Sequence, residues 1–348
     1  MAFGLATTPA NAGRNGWNRV GLGAVRILLW HVHGSWTTAL VQGEHQYLLP
    51  VLPDRGPDGR GRARTWEWPA NVIELTPAEL QASEVDAVIL QRPSELDLCE
   101  RWLRRRPGID LPAVYVEHNA PQGRIADMRH PLADRPELAL VHVTHFNALF
   151  WDCGATPTRV IEHGVVDPGP RYTGELERCA VAINEPVRRG RVTGTDLLPR
   201  FRRAAPIDLF GIGAGELGGV DDPPQERFHR ELARRRVYLH PIRWTSLGLT
   251  LIEAMHLGMP VVALATTEVP VAVPPDAGIV STDVEILCAG IRRLIADPEE
   301  ALERGVASRA AALKRYSLPR FLADWDELLE RVAGGVGRPR VAAAEALP

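Results

Sequence analysis

The sequence is almost without lysine. Among its 348 residues, 40 are lysine or arginine, and Lys314 is the single lysine. This scarcity argues against catalysis through a lysine Schiff base, including pyridoxal phosphate chemistry. It also excludes a Walker P-loop, because that motif requires a lysine between glycine and serine or threonine. An anion bound by this chain must therefore be held by arginine, histidine or backbone amides.

Cysteine pairs, net charge and long apolar runs are scarce as well. The cysteines Cys99, Cys153, Cys179 and Cys288 form no Cys-x-x-Cys pair, which favours buried, reduced thiols over a zinc site or a disulfide framework. The net charge of −3 predicts no attraction to nucleic acid. No apolar run approaches the ~18–20 residues of a membrane helix, and residues 1–24 lack the apolar core of a signal peptide. We expect a cytoplasmic protein with no nucleic-acid partner and no integral membrane association.

Short apolar runs alternate with helical patterns along the chain. The runs that predict strands are 25–34, 45–53, 70–75, 86–92, 112–119, 138–144, 158–164, 179–185, 207–213, 237–241, 260–265 and 278–281. Helices are predicted over 94–106, 223–236 and 249–258, and Thr76, Pro77 and Glu79 predict a capped helix start. This β-α-β alternation predicts an α/β fold of two Rossmann-like, doubly wound domains. Two such domains place a ligand cleft between the carboxyl ends of their strands.

The middle of the chain is typical of a linker. Residues 167–170 read Asp-Pro-Gly-Pro, a hinge pattern. We therefore predict a first domain over 25–168 and a second over 169–315. A C-terminal helix is expected over 316–332, with Phe321, Trp325 and Leu328 on its buried face. Residues 1–24 and 333–348 are expected to be flexible tails.

A loop rich in glycine and arginine is expected over residues 54–64. Its sequence, DRGPDGRGRAR, offers little to bury and predicts a mobile segment. Two interpretations stay open at this point: a simple solvated loop, or a loop that closes over an anionic ligand.

Residues 243–263 carry the most informative pattern. A loop containing Ser246 and Gly248 leads into a helix, and a buried strand follows Gly258. The N-terminus of that helix offers free N–H groups and the positive end of the helix dipole, which suit a phosphate. Glu253 lies about one turn into the helix on its apolar side, where it needs hydrogen-bond donors. Sugar hydroxyls or an arginine would supply them.

This stretch resembles the donor-binding motif of glycosyltransferase family 4, the retaining enzymes with the GT-B fold, in an actinobacterial-type form. The family reads Glu-Gly-Phe-Gly-Leu, three residues, Glu-Ala-Met, then Gly-x-Pro-Val-Val-Ala. Here Gly248-Leu249, Glu253-Ala254-Met255 and residues 258–263 match in register. The resemblance implies that Glu253 binds the ribose hydroxyls of a nucleotide sugar. The resemblance also implies that the diphosphate and the sugar of this donor contact the backbone of Ser246, Leu247, Gly248 and Leu249.

The donor motif is degenerate at two places. The first glutamate of the family falls on Thr245, which is shorter and uncharged but can still hydrogen-bond a donor sugar. The family's diphosphate-binding arginine falls on Arg188, and its lysine falls on Thr193. Arg189 and Arg191 are the available substitutes, since arginine binds phosphate in a bidentate manner. A solvated basic turn is the alternative interpretation of these arginines.

In the first half, the resemblance implies site residues where strands end. His118 follows the run 112–117 and is implied to be catalytic, donating a hydrogen bond to the donor sugar or stabilising the leaving phosphate. Gly34 and Ser35 stand where the family has a glycine pair, in the acceptor or diphosphate loop. His163 replaces the asparagine of the family's Asn-Gly-Val and is implied to line the cleft.

Together these expectations describe a glycosyltransferase of hexosyltransferase type. It would move a sugar from a nucleotide-diphosphate sugar to a hydroxyl of a small-molecule, glycan or lipid-linked acceptor. Retention is implied by the family, as is a last helix that crosses back onto the first domain. No cofactor or metal is expected, because His31-x-His33 lacks a third ligand and arginines can stabilise the leaving diphosphate.

Two other functions stay open at this stage. Thr245 and the missing lysine suggest a catalytically inactive GT-B-like binding or partner protein. An epimerase of nucleotide sugars with the same fold is the second alternative. A nicotinamide dehydrogenase is disfavoured, since no Gly-x-Gly-x-x-Gly follows the first strand.

Overall fold

Two parallel β-sheets form the centre of the molecule. The computed structural model describes residues 24–335, so most of the expected tails lies outside the described residues. The first sheet has seven strands and the second has six. In each sheet every pair of neighbouring strands is parallel. The predicted α/β fold of two Rossmann-like domains is thereby confirmed.

The first sheet is built from residues 26–160. Its strands are β1 (Arg26–Leu29), β2 (Gln46–Pro50), β3 (Val72–Leu75), β4 (Ala87–Leu90), β5 (Ala113–Glu117), β6 (Ala139–His142) and β7 (Thr158–Val160). Its helices are α1 (Gly34–Leu40), α2 (Pro77–Ala82), α3 (Ser94–Leu103) and α4 (His145–Phe150). The strand order β3-β2-β1-β4-β5-β6-β7 reverses direction between β1 and β4. Ligands of doubly wound sheets bind at such a reversal, outside the carboxyl ends of the strands.

The second sheet repeats this arrangement. Its strands are β8 (Leu176–Ala182), β9 (Ile207–Gly211), β10 (Val220–Asp221), β11 (Arg235–His240), β12 (Val261–Leu264) and β13 (Gly278–Ser281). The helices are α5 (Pro186–Arg189), α6 (Leu198–Phe201), α7 (Gln225–Arg234), α8 (Leu249–Leu257), α9 (Val269–Ala272), α10 (Val284–Ala296), α11 (Pro298–Arg315) and α12 (Leu318–Gly335). The order β10-β9-β8-β11-β12-β13 reverses between β8 and β11.

Apolar strand residues explain why both sheets are covered by helices. In β4 and β12 every residue is buried, as expected for strands packed on both faces. The capped start of α2 is confirmed: the Glu79 N–H donates to Thr76 Oγ1, and the Thr76 N–H donates to the Glu79 carboxylate at 2.8 Å. All four cysteines are buried and free. No helix among residues 24–335 is both long and apolar enough to cross a membrane.

The last helix crosses back to the first domain, as expected. Phe321 and Trp325 of α12 are fully buried in the core that contains β1 and α1. The Trp325 ring meets the Trp36 ring edge-on, with centroids 5.6 Å apart. Asp167, where we place the hinge, lies in the connection between β7 and β8 and pairs with Arg309 of α11. The domain boundary itself stays a prediction.

Three local predictions are corrected by the structure. The helix expected over 94–106 ends at Leu103, because Arg104 adopts a left-handed conformation with φ of 57°. The strand expected over 25–34 ends at Leu29, and α1 begins at Gly34. The helix expected over 223–236 ends at Arg234, since the next residues extend β11 at its start.

Candidate functional site

A cavity of about 840 Å³ lies between the two domains, at the carboxyl ends of both sheets. Residues of both domains line it. The predicted site residues among them are Gly34, Ser35, His118, His163, Arg189, Thr245, Ser246, Leu247, Gly248, Leu249 and Glu253. Arg188 and Arg191 are not part of the lining. The structure therefore brings most of the predicted residues together around one space.

The loop before α8, in the second domain, makes a hydrogen bond to the first domain at the cavity. Ser246 is buried, and its hydroxyl donates a hydrogen bond to the His118 carbonyl at 2.6 Å. Gly248 is the N-cap of α8, so the first free N–H groups of this helix follow it. A Cβ on Gly248 would stand 2.8 Å from His240 Cε1. Glycine is thus required here by the close approach of a ring rather than by its backbone angles.

Glu253 is buried on α8 and holds three polar groups. The Ser35 hydroxyl, at the start of α1, donates to its Oε1 at 2.6 Å. The Gln225 amide donates to its Oε2 at 3.0 Å, and His229 Nε2 lies 3.3 Å from the same oxygen. A buried carboxylate requires such partners. The bond to Ser35 spans the cleft, so Glu253 links the two halves of the site.

Only one of the three predicted arginines lines the cavity. Arg188 pairs with Glu185, and Arg191 pairs with Asp196 at 3.3 Å; both guanidinium groups are mostly exposed. Arg189 is half-buried, and no ion pair joins it to another residue between positions 24 and 335. Burial, with the nearby charge of Arg188, lowers the pKa of Arg189. Thr193, where the family has its lysine, is fully buried at the edge of the same space.

His118 is held in one tautomer by its surroundings. The Gln91 amide nitrogen donates to the Trp30 carbonyl at 2.7 Å, which turns the amide oxygen toward His118 Nε2 at 3.0 Å. Because an amide oxygen can only accept, Nε2 carries the proton and Nδ1 is an acceptor. Burial and the neighbouring His33 and His163 hold the pKa of His118 well below its usual range. The ring is therefore neutral near pH 7.

Other histidines crowd the first-domain side of the cavity. The His33 and His118 rings lie with centroids 4.0 Å apart. Burial lowers the pKa of His31 and of His33 to about 4, and that of His163 to about 3. All of these side chains are uncharged at neutral pH. No group of three or more histidine, cysteine or acidic side chains within residues 24–335 is arranged to hold a metal ion.

The residues 54–64 expected to be mobile form a folded part of the cavity wall. The Leu52 N–H donates to the Gly59 carbonyl at 2.9 Å, and the Gly61 N–H donates to the Pro50 carbonyl at 3.0 Å. The Arg55 guanidinium binds the Glu74 carboxylate with bonds of 2.9 and 3.1 Å. These contacts fix the loop beside β3.

Several lining or supporting residues were not predicted from the sequence. They are Gln91, which orients His118, and Gln225 and His229, which hold Glu253. The last two stand four residues apart on α7, so they share one helix face. That spacing could have indicated that Gln225 and His229 act together, but the sequence does not show which face of α7 packs against α8.

Comparison with known proteins agrees with this geometry. Residues 217–297, which include α7 and α8, match the family model described as "Glycosyl transferases group 1". No curated protein sequence matches the chain. The part of the chain that carries Glu253 is therefore similar to the group 1 glycosyltransferases.

Solved structures share the fold at low sequence identity. Sucrose-phosphate synthase from Thermosynechococcus elongatus superposes with a TM-score of 0.66 at 14% identity, over 89% of this chain and 99% of that one. HepE from Anabaena, solved with UDP-glucose, gives a TM-score of 0.61 at 14% identity, over 88% of this chain and 100% of that one. The pneumococcal O-GlcNAc transferase GtfA, solved with UDP and GlcNAc, gives 0.56 at 13% identity, over 71% and 56% of the chains. The fold of this chain is accordingly the GT-B fold.

Proposed function

We propose that the protein is a glycosyltransferase that moves a hexosyl group from a nucleoside-diphosphate sugar to an acceptor hydroxyl, with retention. One observation carries the proposal: Glu253 and the start of α8, inside the segment that matches the family model, face Ser35 and His118 across one cavity. Two structures of the same fold were solved with UDP and a hexose or hexosamine group. Uridine nucleotides are therefore the first donors to test.

The donor would be held from the second domain. Glu253 accepts a hydrogen bond from the Ser35 hydroxyl, and two ribose hydroxyls can replace such donors at a carboxylate. Arg189 and the free N–H groups at the start of α8 supply positive charge for the diphosphate. These groups would stabilise the leaving diphosphate, so the proposal needs no metal.

The transfer would proceed by attack of the acceptor on the face from which the diphosphate departs. The bond between the anomeric carbon and the phosphate oxygen breaks, the acceptor oxygen bonds to that carbon, and its proton passes to the leaving phosphate. His118 is neutral, with Nδ1 as an acceptor, so it suits a hydrogen bond from a sugar hydroxyl. This replaces the expectation that its ring donates a hydrogen bond. An inverted anomeric configuration in the product would contradict the mechanism.

Thr245 favours a second candidate, a binding protein that holds the donor without turnover. Thr245 lines the cavity where the family has a glutamate, and a hydroxyl cannot supply the charge of a carboxylate. The epimerase alternative differs from both, since it would release free nucleotide and a rearranged sugar without any acceptor. Product analysis separates the three: transfer, no turnover, or rearrangement.

Donor binding is tested by thermal shift and calorimetry with UDP, GDP, ADP and dTDP and their sugars. A ligand at 100 times its Kd is expected to add about 2.7 kcal/mol to the free energy of unfolding. Glu253→Ala is expected to lose about tenfold or more in affinity for the bound nucleotide. Glu303→Ala, an exposed position on α11, serves as the matched control. If no nucleotide stabilises the protein, the proposed function fails.

A further inference from the structure

The folded loop over residues 54–64 brings four arginines to the cavity from the first domain. They are Arg55, Arg60, Arg62 and Arg64. The acidic side chains that also line the cavity are Asp54, Asp222 and Glu253. The donor groups Arg189 and Glu253 belong to the second domain, so the loop stands on the opposite wall. Its positive charge is therefore not accounted for by the proposed donor site.

Two of the four arginines have structural partners. Arg55 is paired with Glu74. The Arg62 guanidinium donates to backbone carbonyl oxygens of Trp68, Pro69 and Val72, so its hydrogen-bonding capacity is used inside the loop. Both side chains hold the loop in shape, and neither is available to a ligand.

The other two arginines are uncommitted. Arg60 and Arg64 are exposed, and neither makes a side-chain hydrogen bond or ion pair with any residue between 24 and 335. The backbone of Arg60 is nevertheless fixed, since Arg60 pairs with Val51 in an antiparallel bridge. Arg64 follows Arg62, whose guanidinium group is bound to three backbone carbonyl oxygens. The fixed backbone at Arg60, with a second unpaired guanidinium group on the same loop, lessens the ordering that remains to be done when an anion binds.

The location of these arginines places the anion near the reacting groups of the first domain. Arg60 is close enough to His31 for its charge to lower the pKa of that ring. The His31 Nδ1 lies 3.2 Å from the Gly61 carbonyl oxygen. At the other end of the loop, Trp66 Nε1 lies 3.4 Å from the point where a Cβ on Gly34 would stand. The loop thus flanks the start of α1.

We propose that Arg60 and Arg64 form an anion subsite for the acceptor, so that the acceptor is a hydroxyl compound that also carries a phosphate or a carboxylate group. The identification of the bound anion as the acceptor rests on the proposed function, whereas the existence of the anion subsite does not. Arginine recognises either anion through paired hydrogen bonds from its planar guanidinium group. A neutral acceptor would leave both side chains unused.

The test titrates inorganic phosphate into the protein at low ionic strength, with and without saturating UDP, by calorimetry. Wild type is expected to bind phosphate saturably in the presence of UDP. The double variant R60A/R64A is expected to weaken this binding by about tenfold or more. Arg101→Ala, which removes an exposed arginine of the same domain outside the cavity, is expected to leave it unchanged. Circular dichroism and the Kd for UDP report whether the double variant remains folded.

Two results would overturn the subsite: a Kd for phosphate weaker than about 10 mM in wild type, or a Kd in the double variant within about threefold of wild type. Glucose 6-phosphate, glucuronate and glucose then serve as acceptor probes. If the double variant loses activity selectively with glucose 6-phosphate, the acceptor carries a phosphate. If it loses activity selectively with glucuronate, the acceptor carries a carboxylate. Equal activity changes with all three compounds contradict the proposal. If UDP fails to bind while phosphate binding still requires Arg60 and Arg64, the proposed function fails and the subsite stands.

Discussion

Acidification is expected to destabilise this protein well above the pH at which its carboxylates titrate. His142, His163 and His240 are buried, and each has at least one ring nitrogen without a hydrogen-bond partner among residues 24–335. Burial lowers the pKa of His142 and His240 to about 4 and that of His163 to about 3, because nothing compensates the loss of water around an imidazolium. In the unfolded chain the same rings titrate near pH 6.5.

The sign and the size of the effect follow from this difference. Between pH 6.5 and about 4 the unfolded chain binds more protons than the folded protein, so the free energy of unfolding falls as the pH falls. At pH 5.5 one such histidine contributes a loss of about 1.4 kcal/mol, and three contribute about 4 kcal/mol. The pKa values of the ion-paired Asp110 and Asp167 are held at about 2, so their contribution begins below this window.

Urea unfolding at pH 7.5 and pH 5.5, followed by circular dichroism, measures this loss. His240→Met removes one titrating ring and is expected to reduce the difference between the two pH values by about 1.4 kcal/mol. His145, an exposed residue of α4, provides the control when it is changed to Gln. Equal free energies of unfolding at the two pH values, within about 1 kcal/mol, would refute the reasoning.

Two packing predictions concern the elements that join the halves of the molecule. Trp325→Ala on α12 removes a fully buried ring that packs on Trp36, so the free energy of unfolding is expected to fall by about 3–5 kcal/mol in urea titrations. A loss below about 1 kcal/mol would show that α12 does not complete the first core. Gly248→Ala places a Cβ 2.8 Å from His240 and is expected to cost about 1–3 kcal/mol. Adding His240→Ala should recover part of this cost, and strictly additive losses would contradict the clash.

The alternation of apolar runs was sufficient to predict the two sheets. Every run assigned to a strand overlaps one, because residues of a parallel sheet covered on both faces are nearly all apolar. The two-residue strand β10 was not predicted, and both of its residues are exposed. The boundaries were less predictable. Arg104 ends α3 in a left-handed conformation, which an arginine in the sequence does not predict. Arg235 begins β11 within a stretch whose basic residues follow a helical pattern.

The candidate site was predictable where one segment carries it. The loop and helix over 245–253 are local in sequence, and they line the cavity as a unit. Partners distant in sequence could not be predicted. Glu253 meets Gln225 and Ser35 only because α7 and α1 pack beside α8 in the folded chain. The loop over 54–64 was expected to be mobile because it is rich in glycine and arginine. Its anchor Glu74 lies on β3, outside the loop, so the composition of the loop does not reveal it.

The position of α12 sets the order in which the protein can finish folding during synthesis. All seven strands of the first sheet have been made once Val160 is added, but their core still lacks Phe321 and Trp325. At typical translation rates the intervening segment takes roughly 10–30 s to make. Throughout that interval the nascent first domain exposes the apolar surface around Trp36 that α12 later covers. This surface is therefore accessible to chaperones that bind nascent chains until α12 has left the ribosome.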